Sequence, residues 1–218
     1  TLLSPEMIHI PYIDYHVASI RKWFGIPDGS IGIKTKGSFS NRASSEENTF
    51  STLRKKALQL KNLYIQTGKQ TLKNEYRILF AKADASLDDG FTPHQITSFS
   101  LNELVIKDIV QISEKRKSNY NTLYTMLKGN SAITLLQECY NNSVPFTMPI
   151  LVENRDLIQR ELAKNGVYAS ILWPIDDEAA RICKNSENFS KHMLALPIDQ
   201  RYDYCDMARI YEVIDIVL

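Results

Sequence analysis

With 218 residues, 26 basic against 25 acidic side chains and a formal net charge of +1, the chain can bury one core or two small ones. It carries no charge excess of the kind that draws a protein to nucleic acid or to an anionic membrane. Its hydrophobic content of 44% is ordinary for a water-soluble protein, no run reaches the ~18–20 apolar residues of a membrane span, and no secretion-signal pattern opens it. The three cysteines, Cys139, Cys183 and Cys205, lack metal-ligand spacing, and their odd number speaks against a disulfide framework. A reducing cytoplasm is the expected home, and no metal is expected.

Residues 1–13, with Pro5 and Pro11, read as an irregular lead-in. The β-branched and aromatic run 15–20 predicts a strand. A Ser19-x-x-Lys22 turn closes it, followed by Trp23-Phe24, a Pro27-Asp28-Gly29 bend and a second short strand over 31–33. Lys22 has two readings. A lysine after a strand is ordinarily solvated, whereas one enclosed by apolar and aromatic neighbours loses part of its charge preference and becomes a nucleophile toward carbonyls. Ser19 places a hydroxyl beside the same turn, suited to a phosphate oxygen. Gly25 and Gly29 are either turn glycines or points of close backbone approach. His16 reads as a satisfied strand histidine, because no carboxylate or second histidine stands near it in sequence.

The stretch 34–47 (KTKGSFSNRASSEE) is a surface loop by composition. Phe50, Leu53, Ala57, Leu60, Leu63 and Tyr64 then recur at helical steps and predict an amphipathic helix over 48–66. Thr67-Gly68 stops it, and a second helix follows over 71–85. The cluster Arg54-Lys55-Lys56 with Lys61 reads as a solvated face rather than a nucleic-acid patch. Residues 87–95 (LDDGFTPHQ) form a turn in which His94 is a loop residue. One long helix is expected over 98–127, capped near Ser98 and Ser100 and ended by Gly129.

Beyond Ser131 short strands and helices alternate. Strands are expected over 147–152, 167–172 and 193–198, a helix over 156–164, and a terminal amphipathic helix over 204–217 with Met207, Ile210, Val213, Ile214 and Val217 inward. Helices against a small sheet make an α+β layer. Arg201 is read either as a carboxylate clamp or as a structural partner of Asp199 or Asp203.

Three features carry a resemblance to a known family. The Lys22 segment, with Pro27-Asp28-Gly29 where a Gly-Glu-Gly turn stands and 30–33 (SIGI) as the following strand, resembles the Schiff-base lysine region of the DegT/StrS sugar aminotransferases, pyridoxal-phosphate enzymes of the aspartate aminotransferase fold. Its lead-in, 17–22 (VASIRK), departs from the family's Ser-Phe-His-x-x-Lys. The 116–120 run (RKSNY) resembles the Arg-x-x-Asn-Tyr of the family's linker helix, although a charged helical surface is the plainer reading. The strand-helix-strand over 148–172 and the closing 196–202 (LPIDQRY) resemble its small domain.

The resemblance implies an α/β chain comprising the end of a cofactor-binding large domain (1–97), a linker helix and a small C-terminal α+β domain (98–218), the C-terminal part of a longer protein. It implies pyridoxal 5′-phosphate as cofactor, Lys22 as the Schiff-base amine, Ser19 at the cofactor phosphate and Trp173 beside the acceptor. Glutamate would be the amino donor, a keto sugar nucleotide the acceptor, and a homodimer the working unit. Two alternatives stay open: an inactive interaction module on the same scaffold, and a related dehydratase, which the presence of lysine disfavours because that branch carries histidine instead. The residues that hold the cofactor ring are expected before Thr1, so this chain alone is expected to bind the cofactor poorly.

Overall fold

A computed structural model describes residues 12–40, 43–45, 48–88, 92–136, 144–172, 174, 175, 178 and 182–218. It divides into two compact units, Thr1–Lys107 and Asp108–Leu218. The division places residues 98–107, expected with the linker helix, in the first unit. Among the described residues are seven α-helices and two small antiparallel sheets, and no helix is long and apolar enough to cross a membrane.

In the first unit, β1 (Tyr15–Ala18) pairs antiparallel with β2 (Ile31–Lys34) in the register Tyr15↔Lys34 to Ala18↔Ile31. The strand expected to reach residue 20 stops at Ala18 because a 3₁₀ turn, Ile20–Lys22, takes over. The Lys22 amide donates to the Ser19 carbonyl at 3.3 Å and the Trp23 amide to that of Ile20 at 2.9 Å. His16 is buried, but among the described residues its Nε2 has no hydrogen-bond partner, a departure from the satisfied histidine expected. An unmet buried donor or acceptor costs about 1–3 kcal/mol. His16→Leu is therefore expected to leave thermal stability unchanged or raise it; a clear loss would reveal a partner for the imidazole.

α1 (Thr49–Thr67) starts at Asn48, whose Oδ1 accepts from the Ser51 amide at 2.7 Å, and ends at Gly68 in the left-handed region (φ 69°). It forms a hairpin with α2 (Gln70–Ala85), and Ala57 on α1 and Ala83 on α2 are fully buried. Tyr64 contacts Tyr76, and Tyr76 contacts Phe80, at centroid distances of 5.9 and 6.0 Å.

The solvated face expected for the basic cluster is only partly so. Lys56 is exposed, but Arg54 is enclosed, donating from Nε to the Pro27 carbonyl at 3.1 Å and pairing with Asp84 at 3.3 Å. Its guanidinium also lies 5.3 and 5.0 Å from the rings of Phe50 and Phe80, and Lys55 sits over Phe99 at 4.3 Å. Burial, then the Arg21 charge, lowers the Arg54 pKa, with Asp84 opposing.

The long helix expected over 98–127 is two. α3 (Ser98–Val105) is capped by Thr97, one residue before the predicted cap, and the chain breaks before α4 (Ile109–Leu127). Asp108 restarts the helix by accepting from the Gln111 amide at 3.0 Å, a cap hidden within an apolar-periodic run.

In the second unit, β3 (Ile133–Leu135), β4 (Met148–Val152) and β5 (Met193–Leu196) form an antiparallel sheet in that order. On β4 the buried residues alternate as Met148, Ile150 and Val152, the period of a strand with one face in the core. The strand expected over 167–172 reduces to one bridge, Ser170 with Ala195, its two amide bonds measuring 3.0 and 2.9 Å. α5 (Arg155–Lys164) and α7 (Tyr204–Val217) pack against each other, with α6 (Lys184–His192) leading into β5. Asp203 and Asp206 form a capping box at the start of α7. Met207, Ile210, Val213 and Ile214 are buried as the periodicity requires, and Val217 is half-buried.

α4 grips the segment before α7. Arg116 and Asn119, expected on a charged helical surface, are 3% and 2% exposed. Spaced with Tyr120, Leu123 and Leu127, they share the buried face of α4. Arg116 donates from Nε to Gln200 Oε1 at 2.8 Å and from a terminal nitrogen to the Phe146 carbonyl at 2.9 Å. Asn119 Nδ2 reaches the carbonyls of Asp199 and Tyr202, both at 3.0 Å. Burial lowers the Arg116 pKa to about 10, against the opposing pull of Asp199, so it stays charged at neutral pH.

Arg201 pairs with Asp199 at 2.7 and 2.8 Å, the structural alternative considered for it. Burial pushes the Asp199 carboxyl up, but the Arg201 hydrogen bonds and the charges of Arg201 and Arg116 outweigh it and hold the pKa below its ordinary 3.8. A carboxylate depressed on folding stabilises above its unfolded value and loses that contribution as pH falls through the folded one. Stability of the second unit is therefore expected to decline as pH drops below 3.8, and Asp199→Asn to flatten that part of the profile. An unchanged acid limb in urea titrations would contradict this.

Candidate functional site

The turn between β1 and β2 is held from within. Trp23, Phe24 and Ile26 are 2%, 7% and 2% exposed, an apolar anchor that fixes the backbone on both sides of Gly25. Asp28, also buried, accepts four hydrogen bonds. They come from Ser51 Oγ at 2.9 Å, the Thr97 amide at 3.1 Å, Thr97 Oγ1 at 3.0 Å and Ser100 Oγ. One carboxylate thereby ties the turn to the first turns of α1 and α3. Nothing in the sequence marked Asp28 beyond its place in a Pro-Asp-Gly bend. Its partners lie 23 to 72 residues away, and local pattern is blind to that.

The two glycines separate. Gly29 sits at φ 119°, and a Cβ there would meet Ile20 and Ile96 side chains at 2.9 Å, so both conformation and packing demand glycine. At Gly25 a Cβ would meet nothing within 4 Å.

Lys22 ends the 3₁₀ turn and is exposed. The enclosure that would make its amine a strong nucleophile is not built by the described residues. Ser19 lies in the wall of a cleft of ≈ 520 Å³, together with Arg21, Asp28, Phe50 and His94; Lys22 does not. His94 is more than a loop residue, since its segment pairs with Ser44: the Ser44 amide donates to Pro93 and the Gln95 amide to Ser44, both at 2.8 Å. Trp173 lies outside the described residues.

These positions fit pyridoxal phosphate only in part. They offer an accessible primary amine and, three residues earlier, a hydroxyl. Among the described residues the amine is exposed, and the cleft that Ser19 lines is not lined by Lys22. The described residues of this chain therefore do not make a complete site for the cofactor.

No family model and no curated protein matches the chain. Among solved structures it is similar to Helicobacter pylori PseC, an aminotransferase involved in the biosynthesis of pseudoaminic acid, at 18% identity and a TM-score of 0.48, over 59% of this chain and 39% of that one. It is also similar to a DegT DnrJ EryC1 StrS aminotransferase from Brucella abortus, at 20% identity and a TM-score of 0.43, over 53% and 33%. The sugar aminotransferase CalS13 from Micromonospora echinospora matches at 14% identity and a TM-score of 0.46, over 54% and 33%. A likeness of this degree assigns no role to any residue. The chain is similar to part of a DegT/DnrJ/EryC1/StrS-type sugar aminotransferase and spans little more than a third of the length of such a protein.

Proposed function

We propose that this chain supplies the cofactor-capturing lysine and the small domain of a pyridoxal-phosphate-dependent aminotransferase. Lys22 is the amine, glutamate the donor, a keto sugar nucleotide the acceptor and a homodimer the working unit. The supporting observation is the build of the turn: Lys22 is presented to solvent from a backbone locked on one side by Trp23 and Phe24 and beyond them by Asp28. When bound, pyridoxal phosphate supplies an electron sink beside an imine nitrogen. The residues of this chain supply the amine at Lys22 Nζ and a hydroxyl at Ser19 Oγ. A lysine that captures an aldehyde and then carries protons must be neutral and shielded from water. In this reading the shield comes from residues beyond those described.

A second reading, an inactive module on the same scaffold, is favoured by the separation of Lys22 from the cleft. The glutamate half-reaction separates the two. The complete product of the gene, loaded with pyridoxal phosphate, is expected to release one equivalent of 2-oxoglutarate per bound cofactor. Lys22→Ala is expected to release none, and the present chain alone to show no turnover. No release by the parent protein would leave the module reading standing, and undiminished release by Lys22→Ala would overturn the role given to Lys22.

A further inference from the structure

We propose that the cleft of the first unit binds a small phosphorylated polyol, with the Arg21 guanidinium holding the phosphate. This is independent of whether Lys22 captures an aldehyde. The cleft volume, ≈ 520 Å³, falls within the range of about 300–1,000 Å³ typical of small-molecule sites. Its wall is rich in hydroxyls, from Ser19, Ser30, Thr49, Ser86 and Thr92, which suits a hydrophilic ligand with donors and acceptors of its own.

The charge comes from Arg21. Its guanidinium lies 5.5 Å from the Phe50 ring centre and makes no hydrogen bond or ion pair with any described residue. The ring positions the planar group while leaving its five N–H donors for a ligand. The neighbouring carboxylates are already occupied: Asp28 by the hydroxyls and amide of Ser51, Thr97 and Ser100, and Asp84 by Arg54. Arg21 also helps to lower the Arg54 pKa, behind burial, so the cleft's arginine already stands near a second cation, and an anion bound at Arg21 offsets that repulsion. Thr49 and Phe50, the first residues of α1, line the same wall, adding backbone N–H groups that helix geometry leaves without partners. A tetrahedral phosphate takes donors from the guanidinium fork and from these amides together.

Titration calorimetry on the whole chain tests this with three probes: glucose 6-phosphate, inorganic phosphate and glucose. Glucose 6-phosphate is expected to bind saturably, about tenfold or more tighter than inorganic phosphate, and glucose not to bind. Arg21→Ala is expected to weaken both phosphate probes at least about tenfold, the loss of a charge-assisted hydrogen-bonded pair. Arg21→Lys should retain part of the binding, since it keeps the charge but not the fork, and Lys22→Ala should retain all of it. Should Arg21→Ala fail to fold, Arg21→Gln, still able to lie over Phe50, gives the same comparison. Equal binding by a folded Arg21 variant, equal binding of glucose and its phosphate, glucose 6-phosphate no tighter than inorganic phosphate, or no saturable binding at all would each overturn the proposal.

Discussion

Asp28→Ala is expected to destabilise the first unit by about 3 kcal/mol or more, since a buried carboxylate accepting several hydrogen bonds leaves each donor unmet when removed. Three elements lose a tie at once: the Lys22 turn, the start of α1 through Ser51, and the start of α3 through Thr97 and Ser100. Asp28→Asn should recover part of the loss, because it keeps an acceptor but turns an amide donor toward groups that are themselves donors. Trp23, 2% exposed, reports on this region, so denaturation followed by its fluorescence in a Trp173→Phe background isolates the first unit. A midpoint for Asp28→Ala equal to that of the parent would show that the four hydrogen bonds contribute nothing net.

Arg116→Ala is expected to cost the second unit about 3 kcal/mol, because the Gln200 side chain and the Phe146 and Pro145 carbonyls lose a buried charged donor. Arg116→Lys should not rescue it, since a single ammonium cannot replace a guanidinium serving partners in different directions. Arg201→Ala provides the contrast. Its side chain is 62% exposed, and exposed pairs are worth only about 0–1 kcal/mol. If the two alanine variants shifted the urea midpoint equally, burial would not be what separates these arginines.

Periodic apolar residues made much of this fold legible. The inward face of α7, the α1–α2 hairpin with its Gly68 stop, and the strands β2 and β4 all follow from spacing and turn chemistry. What escaped depends on distant partners or on polar residues used against type. The break between α3 and α4 lies in a run where Val105, Ile106, Ile109 and Val110 keep an apolar pattern although all four are exposed, so periodicity alone joined two helices. Arg54, Arg116 and Asn119 were read as surface because charged and amide side chains usually are. Arg116 and Asn119 are buried and Arg54 is half-buried, through contacts that no local window contains. The i, i+3, i+4 spacing of Arg116, Asn119 and Tyr120, continued by Leu123 and Leu127, was the available signal that this face turns inward. At the site, the position of Lys22 in a turn was readable and its exposure was not. Enclosure of an amine is a property of the surroundings, and apolar neighbours in sequence here bury themselves rather than the lysine.

The account rests on the Lys22 amine, and borohydride trapping probes it most directly. In the complete gene product incubated with pyridoxal phosphate, reduction followed by peptide mapping is expected to place a single pyridoxyl group on Lys22. A label on a different lysine, or one scattered over the surface lysines, would contradict it.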